Sequence, residues 1–238
     1  LYKIDNPVAD WHSWRQADTS SVSRLYVQNG IDLFHPKYQD LSSVATGYQN
    51  PEGYRYVEFP FYNAIHATLY KVYPTFTLER WGRLLSIFFS TISAIFVFLI
   101  GRRFLGVSGG LLSSLFFAVL PFNIYFSRVI LPEPMAVATI TSSLWFFIRW
   151  IDGHRAEIIV SAVLFATALL LKPYTDFYII PMVYLALAKF GVLGSLKRIE
   201  LWLFLLSFVP LLLWRGFMNI MNYLPGIPFW KWVFNGDD

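Results

Sequence analysis

Ser127-Arg128-Val129-Ile130-Leu131-Pro132-Glu133-Pro134 stands between two apolar runs, 110–126 and 135–151. Each run has about the length that crosses a bilayer, for which roughly 17 to 25 largely apolar residues are needed. An arginine and a glutamate five residues apart at the edge of the hydrocarbon are costly if they face lipid. Such groups therefore face protein, water or a substrate. The turn predicts a membrane protein with polar chemistry at the boundary between water and lipid.

Composition agrees. Of the 238 residues, 56% are hydrophobic and only 14% charged, against about a quarter charged in a soluble domain. A chain so poor in charge cannot cover a water-facing surface of this size. The 23 Phe, 14 Tyr and 9 Trp fit a bilayer, because Trp and Tyr favour the headgroup zone. The absence of Cys excludes disulfides and thiolate metal sites. The net charge of +4 does not indicate nucleic acid, since the basic residues sit in short loops between apolar runs rather than on one face. The chain opens without a signal-peptide pattern and its first Met is Met135, so it reads as an internal stretch of a longer protein.

Working outward from the turn, six apolar segments are expected to span the membrane: 84–100, 110–126, 135–151, 158–171, 177–190 and 201–217. Lys172-Pro173 predicts a tight hairpin between the fourth and fifth, and Pro121 and Pro210 are expected to bend their helices. Arg102 and Arg103, then Arg149 and Arg155, then Lys189, Lys197 and Arg198 fall on alternate loops. By the positive-inside rule those loops are cytoplasmic. The turn at 128–133, the hairpin at Lys172 and both ends of the chain then face the other side, and a further crossing is expected before Leu1.

Residues 1–80 are wetter. Helical spacing over 12–28 places Trp14, Ala17, Ser21 and Leu25 on one stripe, with Asn29-Gly30 as the stop. A second helix is expected to open at Pro60 and run to about Lys71. Its Phe61, Ile65, Leu69 and Val72 suit a helix lying in the membrane plane. The chain is thus read as an all-α polytopic membrane protein. Its divisions are an extracytoplasmic loop over 1–80, six helices over 81–217 and the start of another outer segment over 218–238.

The polar candidates gather on the outer side: Asp10, His12, Arg15, Gln16, Asp18, Glu58, Arg128, Glu133 and Lys172. A carboxylate beside a basic group can take the proton of an incoming hydroxyl. Arg or Lys can hold a phosphate oxygen and offset charge on a leaving group. The set suits group transfer from a phosphate-activated donor, and access from the bilayer points to a lipid-linked phosphate.

Four stretches carry a resemblance: His12-Ser13-Trp14-Arg15-Gln16-Ala17-Asp18-Thr19; Val57-Glu58-Phe59-Pro60-Phe61-Tyr62; Trp81-Gly82-Arg83-Leu84-Leu85-Ser86; and Tyr125-Phe126-Ser127-Arg128 with Leu131-Pro132-Glu133-Pro134. In this order they resemble bacterial GT-C glycosyltransferases, in the group related to protein O-mannosyltransferases and lipid A aminoarabinose transferases. The resemblance implies a GT-C-like bundle and a polyprenyl-phosphate sugar donor. It also implies inverting transfer to a lipid, glycan or protein hydroxyl on the periplasmic or extracellular face of a bacterial inner or plasma membrane. Asp18 would be the base, with Asp10 as the second choice, and Glu133 the second acid, orienting the acceptor or holding a divalent metal. Arg128 and Lys172 would face the phosphate, with Arg15, Gln16, Glu58 and His12 nearby. Phe59 stands where the aminoarabinose enzymes carry Lys, and Arg15-Gln16 where they carry an acidic pair, which argues against aminoarabinose.

Plainer readings stand beside these. Asp18 could simply pair with Arg15 one turn away, and Arg128 with Glu133. Lys172 could reach the headgroups along its stem, and Glu58 could be a favourable charge before a helix. His12 has no second ligand at metal spacing. A secondary transporter or a non-catalytic membrane component are the rival functions. A transporter usually carries its charges near the bilayer midplane and its chain in related halves, whereas these charges gather at one face.

Overall fold

In the computed structural model, which describes residues 4, 8, 11–40 and 50–221, the chain is helical apart from one antiparallel bridge between Lys37 and Tyr54. Helix α1 (Ser13–Asn29) stops at Gly30, whose positive φ of 97° lets its N–H turn back to the Tyr26 carbonyl. Helix α2 (Phe61–Val72) follows Pro60 and packs across α1. The stripe of Trp14, Ala17, Ser21 and Leu25 is not the buried face of α1. Trp14 is exposed, whereas Gln16, Ser20, Val22, Ser23 and Tyr26 are covered. The reason is that α2 approaches over small and polar groups. Asn63 donates to the Thr19 carbonyl at 2.7 Å, the His66 ring meets the Ser23 hydroxyl at 3.0 Å, and Ala67 packs among Val22, Tyr26 and Tyr38. The opposite face of α2 leaves Ile65 and Val72 exposed, as a helix resting on lipid requires.

Helix α3 (Leu78–Val119), capped by Thr77, is bent back on itself at Gly106, where φ is 75°. The two arms touch along small residues: Ser114 donates to the Ala94 carbonyl at 3.0 Å, and Gly101 lies against Gly110. Such residues let helix backbones approach closely within a bilayer. A methyl group on Gly110 would come within 2.7 Å of the Phe98 carbonyl oxygen. Gly110→Ala is therefore expected to destabilise the hairpin by roughly 1–3 kcal/mol, read as a lowered thermal midpoint in detergent. An unchanged midpoint would mean the arms are free to part.

Leu120 is extended and Pro121 opens the short α4 (Pro121–Phe126). Helix α5 (Glu133–Ile151) and the shorter α6 (Glu157–Leu171) pair closely, with Ser143 and Ser161 each donating to the other's carbonyl at 2.8 Å. A 3-10 turn, Pro173–Tyr178, leads into α7 (Ile179–Leu196), which reverses at Gly191. Helix α8 (Ile199–Leu205) continues through a 3-10 stretch into α9 (Val209–Ile220), with Pro210 at the junction. Among the described residues, four helical stretches are long and apolar enough to cross a membrane: Leu78–Val119, Glu133–Ile151, Pro173–Leu196 and Ile199–Ile220. The bend at Gly106 separates the apolar runs 84–100 and 110–126 onto the two arms of the first of these. Phe88, Ile95, Leu112 and Phe116 are among the large side chains that these arms leave exposed, a surface suited to lipid.

At one end of the bundle Arg103 binds Asp152 in a fork, at 2.8 and 2.7 Å, and Arg149 meets Glu157 at 3.1 Å. The first residue of α5 and the residue after α6 lie at the opposite end.

Candidate active site

At that opposite end four charged groups from four separated segments meet. Arg15 sits in the first turn of α1. Glu58 precedes α2 and is fixed by its neighbour Phe59, whose N–H donates to the Leu170 carbonyl at 2.9 Å. Glu133 opens α5, where the helix dipole favours an acid. Lys172 is the extended residue that ends α6. Glu58 Oε1 accepts from Arg15 Nη2 at 2.9 Å and from Lys172 Nζ at 2.5 Å. Lys172 Nζ also lies 2.9 Å from Glu133 Oε1, with Arg15 3.9 Å from the same oxygen. The Lys172 side chain is 8% exposed, so it is a buried cation held by two carboxylates and not a residue reaching for headgroups.

Burial alone would raise the Glu58 carboxyl, but the Lys172 ammonium and then the Arg15 guanidinium outweigh it and hold the pKa down at about 2. Burial would likewise lower Lys172, and the Glu58 and Glu133 carboxylates reverse that direction and raise it. His66, fully buried, is lowered to about 4 by desolvation. Its Nε2 faces the Leu78 carbonyl at 2.6 Å, which can only accept, so the ring proton sits there. Both groups predict acid lability. His66 binds a proton more readily unfolded, so stability falls as pH drops from about 6.5 to 4. Ionised Glu58 contributes fully above about 4.5, and its contribution is lost as pH drops towards 2, on the order of 3 kcal/mol. Thermal midpoints recorded from pH 7 to 3 should fall in both ranges. Glu58→Gln should flatten the lower one, and a midpoint independent of pH would contradict the arrangement.

Asp18 lies one step away from this cluster. Its carboxylate is 3.5 Å from Arg55, not Arg15, which has turned to Glu58. Arg15, Asp18, Arg55 and Glu58 line one small pocket of about 20 Å³, room for a single water. Gln16 plays a structural part: Oε1 accepts from the Ile130 N–H at 3.2 Å and Nε2 donates to the Trp11 carbonyl at 3.3 Å. It thereby clasps α1 to the 127–132 turn. His12 begins α1 with a positive φ of 55° and stacks on Trp11. Arg128 lies over the Tyr125 ring, and Glu133 pairs with Lys172 and Arg15 instead. Asp10 and the segment after Met221 lie outside the described residues.

Glu133 also borders an apolar cavity of about 260 Å³, lined by Ser90, Phe117, Phe122, Phe126 and Tyr174 among others. Its second oxygen, Oε2, is buried and has no hydrogen-bond partner. Two residues of this region were not among the sequence candidates. Arg55 comes from a loop with no pattern to mark it. Arg215, 6% exposed on α9, interacts electrostatically with Glu58. A lone arginine within an apolar run was a legible signal. Among the described residues no three His, Asp or Glu side chains gather as a metal-ligand set.

An all-helical integral membrane protein with paired acids and bases at one end of its bundle is the class that fold and geometry define. Within that class, the chain belongs to the dolichyl-phosphate-mannose-protein mannosyltransferase family, whose model matches residues 60–214. It is a membrane glycosyltransferase of the GT-C superfamily. No curated protein and no solved structure matches it.

Proposed function

We propose that the protein transfers a sugar from a polyprenyl-phosphate donor to an acceptor hydroxyl on the non-cytoplasmic face, with inversion at the anomeric carbon. The observation that carries this is the meeting of Arg15, Glu58, Glu133 and Lys172 beside an apolar cavity of about 260 Å³. Glu133 borders the apolar cavity, and the cations Lys172 and Arg15 lie directly behind it, at 2.9 and 3.9 Å from its Oε1; a phosphate at the end of a hydrocarbon chain would meet them there. Asp18 takes the acceptor proton, the acceptor oxygen bonds to the anomeric carbon, and the bond from that carbon to the phosphate oxygen breaks. The phosphate leaves with the electron pair, its charge offset by Lys172 and Arg15, with Arg128 on the neighbouring turn. Glu133 orients the acceptor. The Arg103 and Arg149 end of the bundle, with its basic loops, is cytoplasmic on this reading.

The test uses the full-length protein in liposomes with radiolabelled polyprenyl-phosphate mannose. The expected result is donor-dependent glycoside formation with inverted anomeric configuration, read by NMR of the product. Retained configuration, or donor left unconsumed with every acceptor, would overturn it.

A further inference from the structure

A second, larger crevice of about 420 Å³ lies on the other side of Asp18, lined by Ala17, Asp18, Ser20, Ser21 and Arg24 of α1, by Tyr38, Gln39 and Asp40, and by Glu79. Ala17, Ser20, Ser21 and Arg24 recur at three- and four-residue spacing, so they form one face of α1. Asp18 borders both this crevice and the small pocket that reaches Arg15 and Glu58. It is the carboxylate shared between them.

We propose that this crevice is the acceptor subsite and that it takes an uncharged sugar headgroup, so that the acceptor is a glycan. The proposal rests on the reading of Asp18 as the base. Three features carry it. Among the apolar surface of Val8, Ala17 and Tyr38, the lining carries carboxylates, an amide and hydroxyls that can accept from an array of sugar hydroxyls. Ser20 is 5% exposed and its hydroxyl has no partner, an unmet hydrogen-bonding group of the kind a ligand satisfies. In the lining, carboxylates outnumber guanidinium groups three to one, Asp18, Asp40 and Glu79 against Arg24. That balance disfavours a phosphorylated acceptor, since like charges brought together are repelled. The volume lies within the range of roughly 300–1,000 Å³ common to small-ligand sites.

The experiment measures equilibrium binding of methyl glycosides to the full-length protein in nanodiscs by calorimetry, with neutral and 6-phosphorylated members and a Ser/Thr peptide. Donor hydrolysis by water is followed in parallel. A neutral glycoside should bind about tenfold or more tightly than its phosphate. Ala17→Trp, at an exposed position of α1, should weaken that binding about tenfold while leaving donor hydrolysis unchanged. The double variant Asp40→Asn with Glu79→Gln should bring the neutral-to-phosphate ratio towards one. The proposal is overturned if no glycoside binds, if the phosphate binds as well or better, if Ala17→Trp has no effect, or if the peptide binds more tightly than any glycoside. Asp18→Asn separates the two readings. If it binds glycoside normally and still transfers sugar, the base is wrong and the crevice stands. If it is inactive while glycoside binding ignores Ala17→Trp, the crevice alone is wrong.

Discussion

Lys172→Met is expected to cost about 3–5 kcal/mol of stability, the range for removing one partner of a buried ion pair, and to abolish sugar transfer. The ammonium touches Glu58 at 2.5 Å and Glu133 at 2.9 Å, so its loss strands two carboxylates at once. Arg15 remains, but it lies 3.9 Å from Glu133 and cannot serve both acids as closely. Because the penalty comes from uncompensated charge, adding Glu58→Gln to Lys172→Met should recover a substantial part of it. The double variant should nevertheless stay inactive, since the phosphate would still lack its cation. The measurement is the thermal midpoint in detergent, alongside transfer in liposomes. A Lys172→Met protein with wild-type stability would show that the four charges do not form the coupled cluster described.

Asp18→Asn is expected to lower transfer by about 10²–10⁴-fold, the usual contribution of a positioned base, with little change in stability. Its carboxylate lies 3.5 Å from Arg55, and Asn keeps the side chain's size and an accepting oxygen towards that guanidinium. The loss should fall on kcat, with the donor KM near wild type, because Asp18 is not among the cations that hold phosphate. Transfer within about twofold of wild type would move the base elsewhere, since a lost base cannot leave the barrier unchanged.

The helical, membrane-spanning architecture was open to reading because hydrocarbon demands long apolar runs, and those runs are visible without coordinates. The start of α2 after Pro60 and the stop of α1 at Gly30 were equally legible from local chemistry. The buried face of α1 was not. Ser20, Ser23 and Gln16 carry no hydrophobic period, and only the arrival of Asn63, His66 and Ala67 makes that face an interface. In the site, the sequence marked Arg15, Glu58, Glu133 and Lys172, which the structure brings to one end of the bundle, but it could not assign partners. Lys172 and Glu58 are 114 positions apart, and nothing local distinguishes a lysine reaching for headgroups from one locked between two acids. Asp18 had Arg15 within one turn, yet took Arg55 from a distant loop because Glu58 had claimed Arg15.

The brevity of α6 has a consequence for the bilayer itself. At about 1.5 Å per residue its 15 residues span only about 22 Å, against a hydrocarbon thickness of roughly 30 Å. Glu157 at its start belongs to one ion cluster and Lys172 just past its end to the other. If the first cluster sits level with one leaflet's headgroups, the second is sunk several ångströms beneath the opposite surface. A bilayer accommodates so short a span by thinning locally, among other ways. A substrate with a long greasy tail would meet the protein at a thinned patch, its polar end already drawn down to the depth at which reaction occurs.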